Sequence, residues 1–169
     1  IDADLTYAVA SGARVPIPTG MREWWRACEG VVRTGFVLVI DYATTVAELG
    51  ARPWLRTYRA HSPGTDPLDA PGEQDITADV VLEQLEAAAP FARVRTDRQA
   101  DWLAALGIDE LVAEGRRIWE AGADHGGIEA LAGRSRVSEA AALTDRGGLG
   151  AHHVVLFASN GAGGRDFAW

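Results

Sequence analysis

The sequence predicts an α/β fold, in which helices alternate with short apolar strands. The first observation is Phe36–Ile40, an apolar run rich in β-branched residues, which is typical of a strand covered on both faces of a parallel sheet. The second is the segment from Thr19, where apolar residues recur at helical spacing between charged ones. The third is a further apolar run, His152–Phe157. With a strand at Phe91–Arg95, we expect three core strands, which is few for a self-sufficient sheet of this class.

Composition and charge restrict the partners of this chain. Its 169 residues are 47% hydrophobic and 24% charged, as in a folded globular protein. The 16 basic and 24 acidic residues give a net charge of -8, which repels phosphate backbones and anionic lipid surfaces. Cys28 is the single cysteine, and the acidic start Ile1–Asp4 is unlike a signal peptide. We expect no nucleic-acid partner, no membrane association and a cytoplasmic location.

The first half of the chain predicts a hairpin, a helix, a strand and a long loop. Leu5–Ala10 and Arg14–Pro18 flank a short Ser-Gly-Ala turn, as in a hairpin with a proline-marked edge strand. A helix follows from Thr19 to near Gly35. Residues 43–76 lack sustained periodicity and hold four prolines, so we predict a long functional loop there.

The second half predicts helices around two further strands. Thr77–Ala89 has the spacing of a helix that Pro90 ends. Thr96 and Gln99 fit a capping box, which opens a helix that closes at Gly107. The other predicted elements are helices at Asp109–Ala121 and Ile128–Leu143, a turn at Gly147–Gly150, and a flexible tail over residues 160–169.

Two polar segments are the best candidates for a site. Asp41 and Tyr42 leave the apolar strand directly, and ligands of open α/β sheets bind beyond the carboxyl ends of the strands. The alternative is that Asp41 only caps a loop on which Tyr42 packs. Asp75 and Thr77 precede the predicted second helix, where they would cap free N–H groups, although a capping carboxylate can also face a ligand. We expect Asp41 and Asp75 to face one shared cleft.

Other residue patterns do not support a zinc enzyme or a hydrolase. His152 and His153 are adjacent within a strand and point to opposite faces, so they cannot both bind one metal. The sequence has no Gly-x-Ser-x-Gly elbow, and Cys28 has no local partner that would suggest a thiol protease.

Between residues 30 and 157 several short motifs follow in a fixed order. They are Phe36–Tyr42, Leu55–His61, Pro67, Pro71-Gly72, Asp75–Ala78, Thr96, Gln99, Trp102-Leu103, Gly107-Ile108 and Gly148–Gly150. Together they resemble the MidA-type SAM-dependent methyltransferases, a family that includes the mitochondrial arginine methyltransferase that assists respiratory complex I assembly. Several motifs at compatible spacing make the resemblance specific.

The resemblance implies the C-terminal part of a Rossmann-like class I methyltransferase sheet with flanking helices, to which residues 1–169 contribute the last three strands. It implies S-adenosyl-L-methionine (SAM) as the cofactor, bound mainly by an upstream half. The glycine-rich loop and acidic strand end that hold SAM in such enzymes have no counterpart in this sequence. The chain alone is therefore expected to be inactive, and the parent enzyme to methylate a nucleophile such as a protein arginine.

The resemblance also implies which residues form the site. Asp41 and Asp75 would be catalytic, because carboxylates can hold a guanidinium and favour its reacting nitrogen. The expected substrate-binding residues are Tyr42, Tyr58, His61 and Thr77.

Two positions depart from the family pattern. Asp79 stands where a histidine is common, and Val81 stands where an acidic residue is common. If those groups bind substrate in the relatives, the departures leave the identity of the substrate open.

A different class of function remains open, namely a non-catalytic assembly or protein-binding module on the same fold. A third possibility is a soluble α/β fragment alone. A Gly-x-Gly-x-Gly half encoded upstream would distinguish the methyltransferase from both. For partners we expect a protein substrate and a cover for the edge of Phe36–Ile40. That cover would be the upstream half, a second copy of the chain, or Leu5–Ala10 folded back.

Overall fold

The computed structural model describes residues 14–60, 62–64, 66–124 and 126–162. They form helices and several sheets, which confirms the α/β class. The chain divides into two compact units, the first containing residues 14–33 and 41–92 and the second residues 34–40 and 93–162. Residues 14–18 have no regular structure. Leu5–Ala10, His61 and most of the predicted tail lie outside the described residues.

The helices and strands are numbered here in chain order. The helices are α1 (Thr19–Val31), α2 (Leu82–Ala88), α3 (Gln99–Ala105), α4 (Ile108–Gly122) and α5 (Ile128–Thr144), with short 3-10 turns at Val46–Glu48 and Leu149–Ala151. The strands are β1 (Phe36–Asp41), β2 (Ala43–Thr44), β3 (Leu55–Arg59), β4 (Ser62–Pro63), β5 (Asp75–Ala78), β6 (Val80–Val81), β7 (Ala92–Arg98) and β8 (His153–Ala158).

The first unit holds two small sheets that meet at a single residue. Strand β3 lies between β4 and β5 and is antiparallel to both. Strand β2 pairs with β6 in parallel, with Ala43 opposite Val80. Asp79 is the one residue between β5 and β6. The chain therefore passes from the antiparallel sheet to the parallel pair through Asp79.

The core of the first unit consists of large apolar side chains. Leu49, Trp54 and Val81 form a buried cluster. Trp25 is 1% exposed, and its indole N–H donates to the carbonyl of Leu85 at 3.1 Å. Trp25 also packs edge-on against the ring of Phe91. Trp25 therefore joins α1 to α2 through its hydrogen bond to Leu85.

The predicted loop over residues 43–76 is wrong as a description of backbone structure. It contains β2, a 3-10 turn, β3, β4 and the start of β5. These strands are short and carry polar residues, so they show no apolar period. These strands form through backbone pairing between residues far apart in sequence, for example Leu55 with Ala78.

Two predicted helix starts are also wrong. The helix predicted from Thr77 begins at Leu82, and Asp75 and Thr77 lie in β5 rather than at a helix cap. Asp75 and Thr77 pair with β3 along their backbones, so they do not cap the N-terminus of a helix. The helix after Thr96 begins at Gln99 without a side-chain cap, because β7 continues to Arg98.

The second unit contains a three-stranded sheet in the order β1-β8-β7. Strand β8 lies in the middle, and its residues Val154–Phe157 are all buried. Strand β1 is an edge strand of this sheet, and Phe36, Leu38 and Ile40 are 37%, 44% and 44% exposed. In the part of the chain that the structure describes, the cover predicted for both faces of Phe36–Ile40 is therefore incomplete, as expected for a strand that needs a further neighbour.

Helices α4 and α5 approach closely at two glycines. A Cβ added to Gly133 would lie 2.5 Å from the carbonyl oxygen of Gly115 and 2.8 Å from the backbone nitrogen of Trp119. Both helices match the predicted ones to within about two residues, as is usual for helix ends. The absence of side chains at both positions lets the two backbones touch.

This contact predicts that Gly133→Ala lowers the free energy of unfolding by about 1–3 kcal/mol, since the added methyl group must push the helices apart. Urea denaturation followed by circular dichroism would measure the change. The matched control is Ala132→Ser, which also adds one atom to α5 but at an exposed position. The control should cost no more than about 0.5 kcal/mol. Equal midpoints for both variants would contradict the close packing.

Candidate functional site

A buried carboxylate with two arginines lies at the junction of the two small sheets. Asp79 Oδ2 accepts from Arg52 Nη1 at 2.8 Å, and Asp79 Oδ1 lies 2.6 Å from Arg56 Nη2. The Asp79 side chain is 2% exposed, whereas those of Arg52 and Arg56 are 42% and 28% exposed. One buried negative charge is thus compensated by two partly exposed positive charges.

The surrounding backbone fixes this cluster. The amide of Asp79 donates to the carbonyl of Trp54 at 2.8 Å, which ties the junction to the residue before β3. Arg56 stands in β3 opposite Thr77, two residues before Asp79 along β5. Arg52 uses its second Nη to donate to the carbonyl of Ala43 at 2.8 Å. Asp79 therefore connects β3, the start of β2 and the segment before β3.

The charges in the cluster stabilise one another. The hydrogen bond to Asp79 raises the pKa of Arg56 above its ordinary value, although partial burial opposes the shift. Glu48 lies near the same cluster, 3.7 Å from Arg52. The backbone N–H of Thr45 donates to Glu48 at 3.1 Å, and this bond lowers the pKa of that carboxyl. Both groups are held in their charged forms.

Tyr42 is held from several directions next to this cluster. Its amide donates to Asp41 Oδ1 at 2.7 Å, and its carbonyl accepts from the amide of Val80 at 2.9 Å. The guanidinium carbon of Arg56 lies 5.2 Å from the centre of the Tyr42 ring, a cation–π distance. The ring remains 44% exposed. Tyr42 thus has a fixed backbone and an accessible side chain.

The other predicted site residues lie in the antiparallel sheet or at the end of β1. Tyr58 and Asp75 are directly opposite in the β3–β5 ladder, and Thr77 is opposite Arg56. Asp75 and Asp41 are both exposed, but they belong to different sheets. The shared cleft for Asp41 and Asp75 stays a prediction, and His61 lies outside the described residues.

The cluster that Asp79 forms with Arg52 and Arg56 was not predicted from the sequence. Arg52 and Arg56 are four residues apart, but they do not share a helix, so their spacing gave no signal. The signal that existed was Asp79 itself, as an acid at a position where the resemblance implies a histidine. At the other departure, Val81 is 1% exposed in the core cluster, so an apolar residue suits that position.

Neither a three-ligand metal cluster nor a membrane-crossing helix is present in the part of the chain that the structure describes. Within it, no group of three His, Cys, Asp or Glu side chains is arranged to hold a metal ion. Among the same residues, no helix has both the length and the apolar character needed to cross a membrane.

A family model described as "Putative S-adenosyl-L-methionine-dependent methyltransferase" matches residues 2–98 of this sequence, which is more than half of it. The match contains β1, the two small sheets and the Asp79 cluster. Comparison with curated proteins finds no match.

Two solved structures from Burkholderia thailandensis are similar to the chain. A superfamily member bound to S-adenosyl-homocysteine has a TM-score of 0.62 and 25% identity, and the similarity covers 82% of this chain and 35% of that one. A native structure of an uncharacterized protein of the same superfamily has a TM-score of 0.62 and 24% identity over 82% of this chain and 36% of its own. The second likeness shows a common fold. The chain therefore spans little more than a third of the length of either structure.

The Asp79 cluster predicts a large cost for Asp79→Asn. Loss of the buried charge removes both salt bridges and leaves Arg56 without its acidic partner, so the free energy of unfolding should fall by about 2–4 kcal/mol. Chemical denaturation would measure the change. The matched control is Glu73→Gln, which removes the exposed ion pair with Arg59 and should cost less than about 1 kcal/mol. If Asp79→Asn is as stable as the control, Asp79 does not hold the junction together.

Proposed function

The chain belongs to this methyltransferase family, and from that premise we propose that it is the acceptor-binding part of a SAM-dependent methyltransferase. The observation that carries the proposal is the similarity to a structure bound to S-adenosyl-homocysteine, the product that SAM leaves after giving up its methyl group. Because the similarity covers 35% of that chain, we propose that the remaining part of a longer protein binds SAM.

The described residues do not suit the binding of SAM by this chain alone. Glycine-rich loops that hold such cofactors follow a strand and open a helix. The strand-to-helix junctions described here are direct, since β6 ends at Val81 where α2 begins at Leu82, and β7 ends at Arg98 where α3 begins at Gln99. Neither junction has room for a cofactor loop.

The open edge of β1 indicates where the rest of a longer protein would pair with this sheet. Strand β1 has a neighbour on one side only in the described sheet, and it exposes Phe36, Leu38 and Ile40. Open strand edges beside apolar side chains favour pairing with another strand. We therefore propose that β1–β8–β7 is the last part of a Rossmann-like sheet. The upstream half, or else a second copy, would extend it at β1.

The distribution of negative charge favours a cationic acceptor such as a protein arginine. Among the described residues, Asp41 and Asp75 form no salt bridge, whereas the charge of Asp79 is compensated by two arginines. The net charge of -8 also attracts a cation. Exposed carboxylates can bind a guanidinium through paired hydrogen bonds. Asp41 and Asp75 are thus the proposed acceptor ligands.

The proposed chemistry of this chain is binding and orientation. SAM supplies the methyl group on a sulfonium, which is already a good leaving group. Asp41 and Asp75 would hold the guanidinium and keep its reacting nitrogen pointed at the methyl group, because in-line placement contributes much of such rate enhancements. Tyr42, Tyr58 and Thr77 would line the site, together with His61.

The first test is calorimetry of the isolated 169-residue chain with S-adenosyl-homocysteine. We expect no measurable heat of binding, because the cofactor loop lies in another part of the protein. A dissociation constant of about 10 micromolar or tighter, equal to about 7 kcal/mol, would place the cofactor site in these residues and contradict the proposal.

The second test is methyl transfer by the longer protein with Asp41→Asn or Asp75→Asn. Each change should lower the rate with an arginine peptide by about 10-fold or more while leaving the unfolding midpoint unchanged. Asp69→Asn is the matched control, an exposed aspartate of the same unit. Full activity of both variants would remove the two residues from the site. Intact cofactor binding without transfer by the wild type would instead favour a non-catalytic binding module.

A further inference from the structure

The contacts of Arg56 suggest a role beyond closing an ion pair. Nη2 of Arg56 lies 2.6 Å from Asp79 Oδ1, and the guanidinium carbon lies 5.2 Å from the centre of the Tyr42 ring. A guanidinium can pair with a carboxylate and also interact with an aromatic ring. Arg56 therefore contacts a buried carboxylate and an aromatic side chain at the same time.

Asp79 determines where the guanidinium of Arg56 lies. The carboxylate is buried, and its backbone is fixed by the bond from its amide to Trp54. Arg52 occupies the other carboxylate oxygen, so Oδ1 is left for Arg56. Because Arg56 is itself part of β3, both ends of its side chain are anchored.

The backbone of Tyr42 is restrained independently of its ring. Its amide and carbonyl are bound by Asp41 Oδ1 and by the amide of Val80. Tyr42 is 44% exposed, so these backbone bonds do not by themselves enclose its ring. The guanidinium of Arg56 lies at cation–π distance from that ring.

We propose that Arg56, anchored by Asp79, is a positioning residue that fixes the Tyr42 ring as one wall of the acceptor site. The inference rests on the proposed function, because the wall matters only if an acceptor binds beside Asp41. Asp79 has a second effect, since it compensates the charge of Arg56 and so reduces the repulsion of a cationic acceptor. A histidine at position 79 would carry no negative charge.

The first experiment needs no activity. NMR spectra of the chain with 13C-labelled tyrosine rings contain signals from three tyrosines, and Tyr42→Phe assigns that of Tyr42. Arg56→Met keeps the length of the side chain but removes the charge, so the Tyr42 signal should shift, whereas Arg56→Lys should restore part of the shift. The matched control is Arg59→Met on the same strand, whose partner is Glu73. An unmoved Tyr42 signal in Arg56→Met overturns the inference.

The second experiment uses the longer protein, SAM and an arginine peptide. Arg56→Met should raise the KM for the peptide by about 10-fold, with the KM for SAM unchanged, because a lost positioning contact acts on acceptor binding. In a Tyr42→Leu background the same change should have no further effect. Equal increases of both KM values, or additive effects in the double variant, would indicate a merely structural role and overturn the inference.

Failure of the inference and failure of the proposed function give different results. If the wild-type protein transfers methyl groups but the kinetics of Arg56→Met are unchanged, the positioning role alone is wrong. If the wild type transfers none although the Tyr42 signal responds to Arg56→Met, the proposed function is wrong, and with it the acceptor site that Arg56 would serve.

Discussion

The fold of the first unit depends on the ionised carboxylate of Asp79 and its two arginines. A carboxylate with 2% exposure would be strongly destabilising without partners, because burial removes its hydration. Arg52 supplies a hydrogen bond and a positive charge, and Arg56 supplies a second positive charge from a different segment of the chain. The requirement to satisfy one buried charge therefore brings those segments together.

The same requirement distinguishes Asp79, which stabilises the fold, from the aspartates proposed to bind the acceptor. Both carboxylate oxygens of Asp79 lie next to arginines, so its charge is not available to a ligand. Asp41 and Asp75 are exposed and form no salt bridge with the described residues, so a cation approaching the proposed site would meet them rather than Asp79. The same argument makes Arg56 compatible with a cationic acceptor, because Asp79 and Glu48 together balance the charges of Arg56 and Arg52.

Much of the fold could be predicted from the sequence because it depends on local periodicity. The helices α1 and α4 carry apolar residues at helical spacing, and the strands β1 and β8 contain continuous apolar runs. The pairing of β3 with β5 could not be predicted in this way. It joins short polar segments about 20 residues apart through backbone hydrogen bonds, which leave little trace in side-chain patterns.

The candidate site was predictable only in part for the same reason. Tyr42 and Asp41 were identifiable because a polar pair directly follows an apolar strand. The partnership of Asp79 with Arg52 and Arg56 depends on strand register, so it became visible only in three dimensions. The partial exposure of β1 agrees with the expectation that the edge of Phe36–Ile40 needs a cover, but an apolar run does not show whether that cover is in the same chain.

The most direct test of the role of Asp79 is amide hydrogen exchange at Val80, whose N–H donates to Tyr42. In the wild-type chain this amide should be protected, and in Asp79→Asn its protection should fall by about 10-fold or more as the junction opens locally. The amides of Val154–Phe157 in the second unit provide the internal reference and should change little. Unchanged protection of Val80 in the variant would contradict the claim that this carboxylate holds the site together.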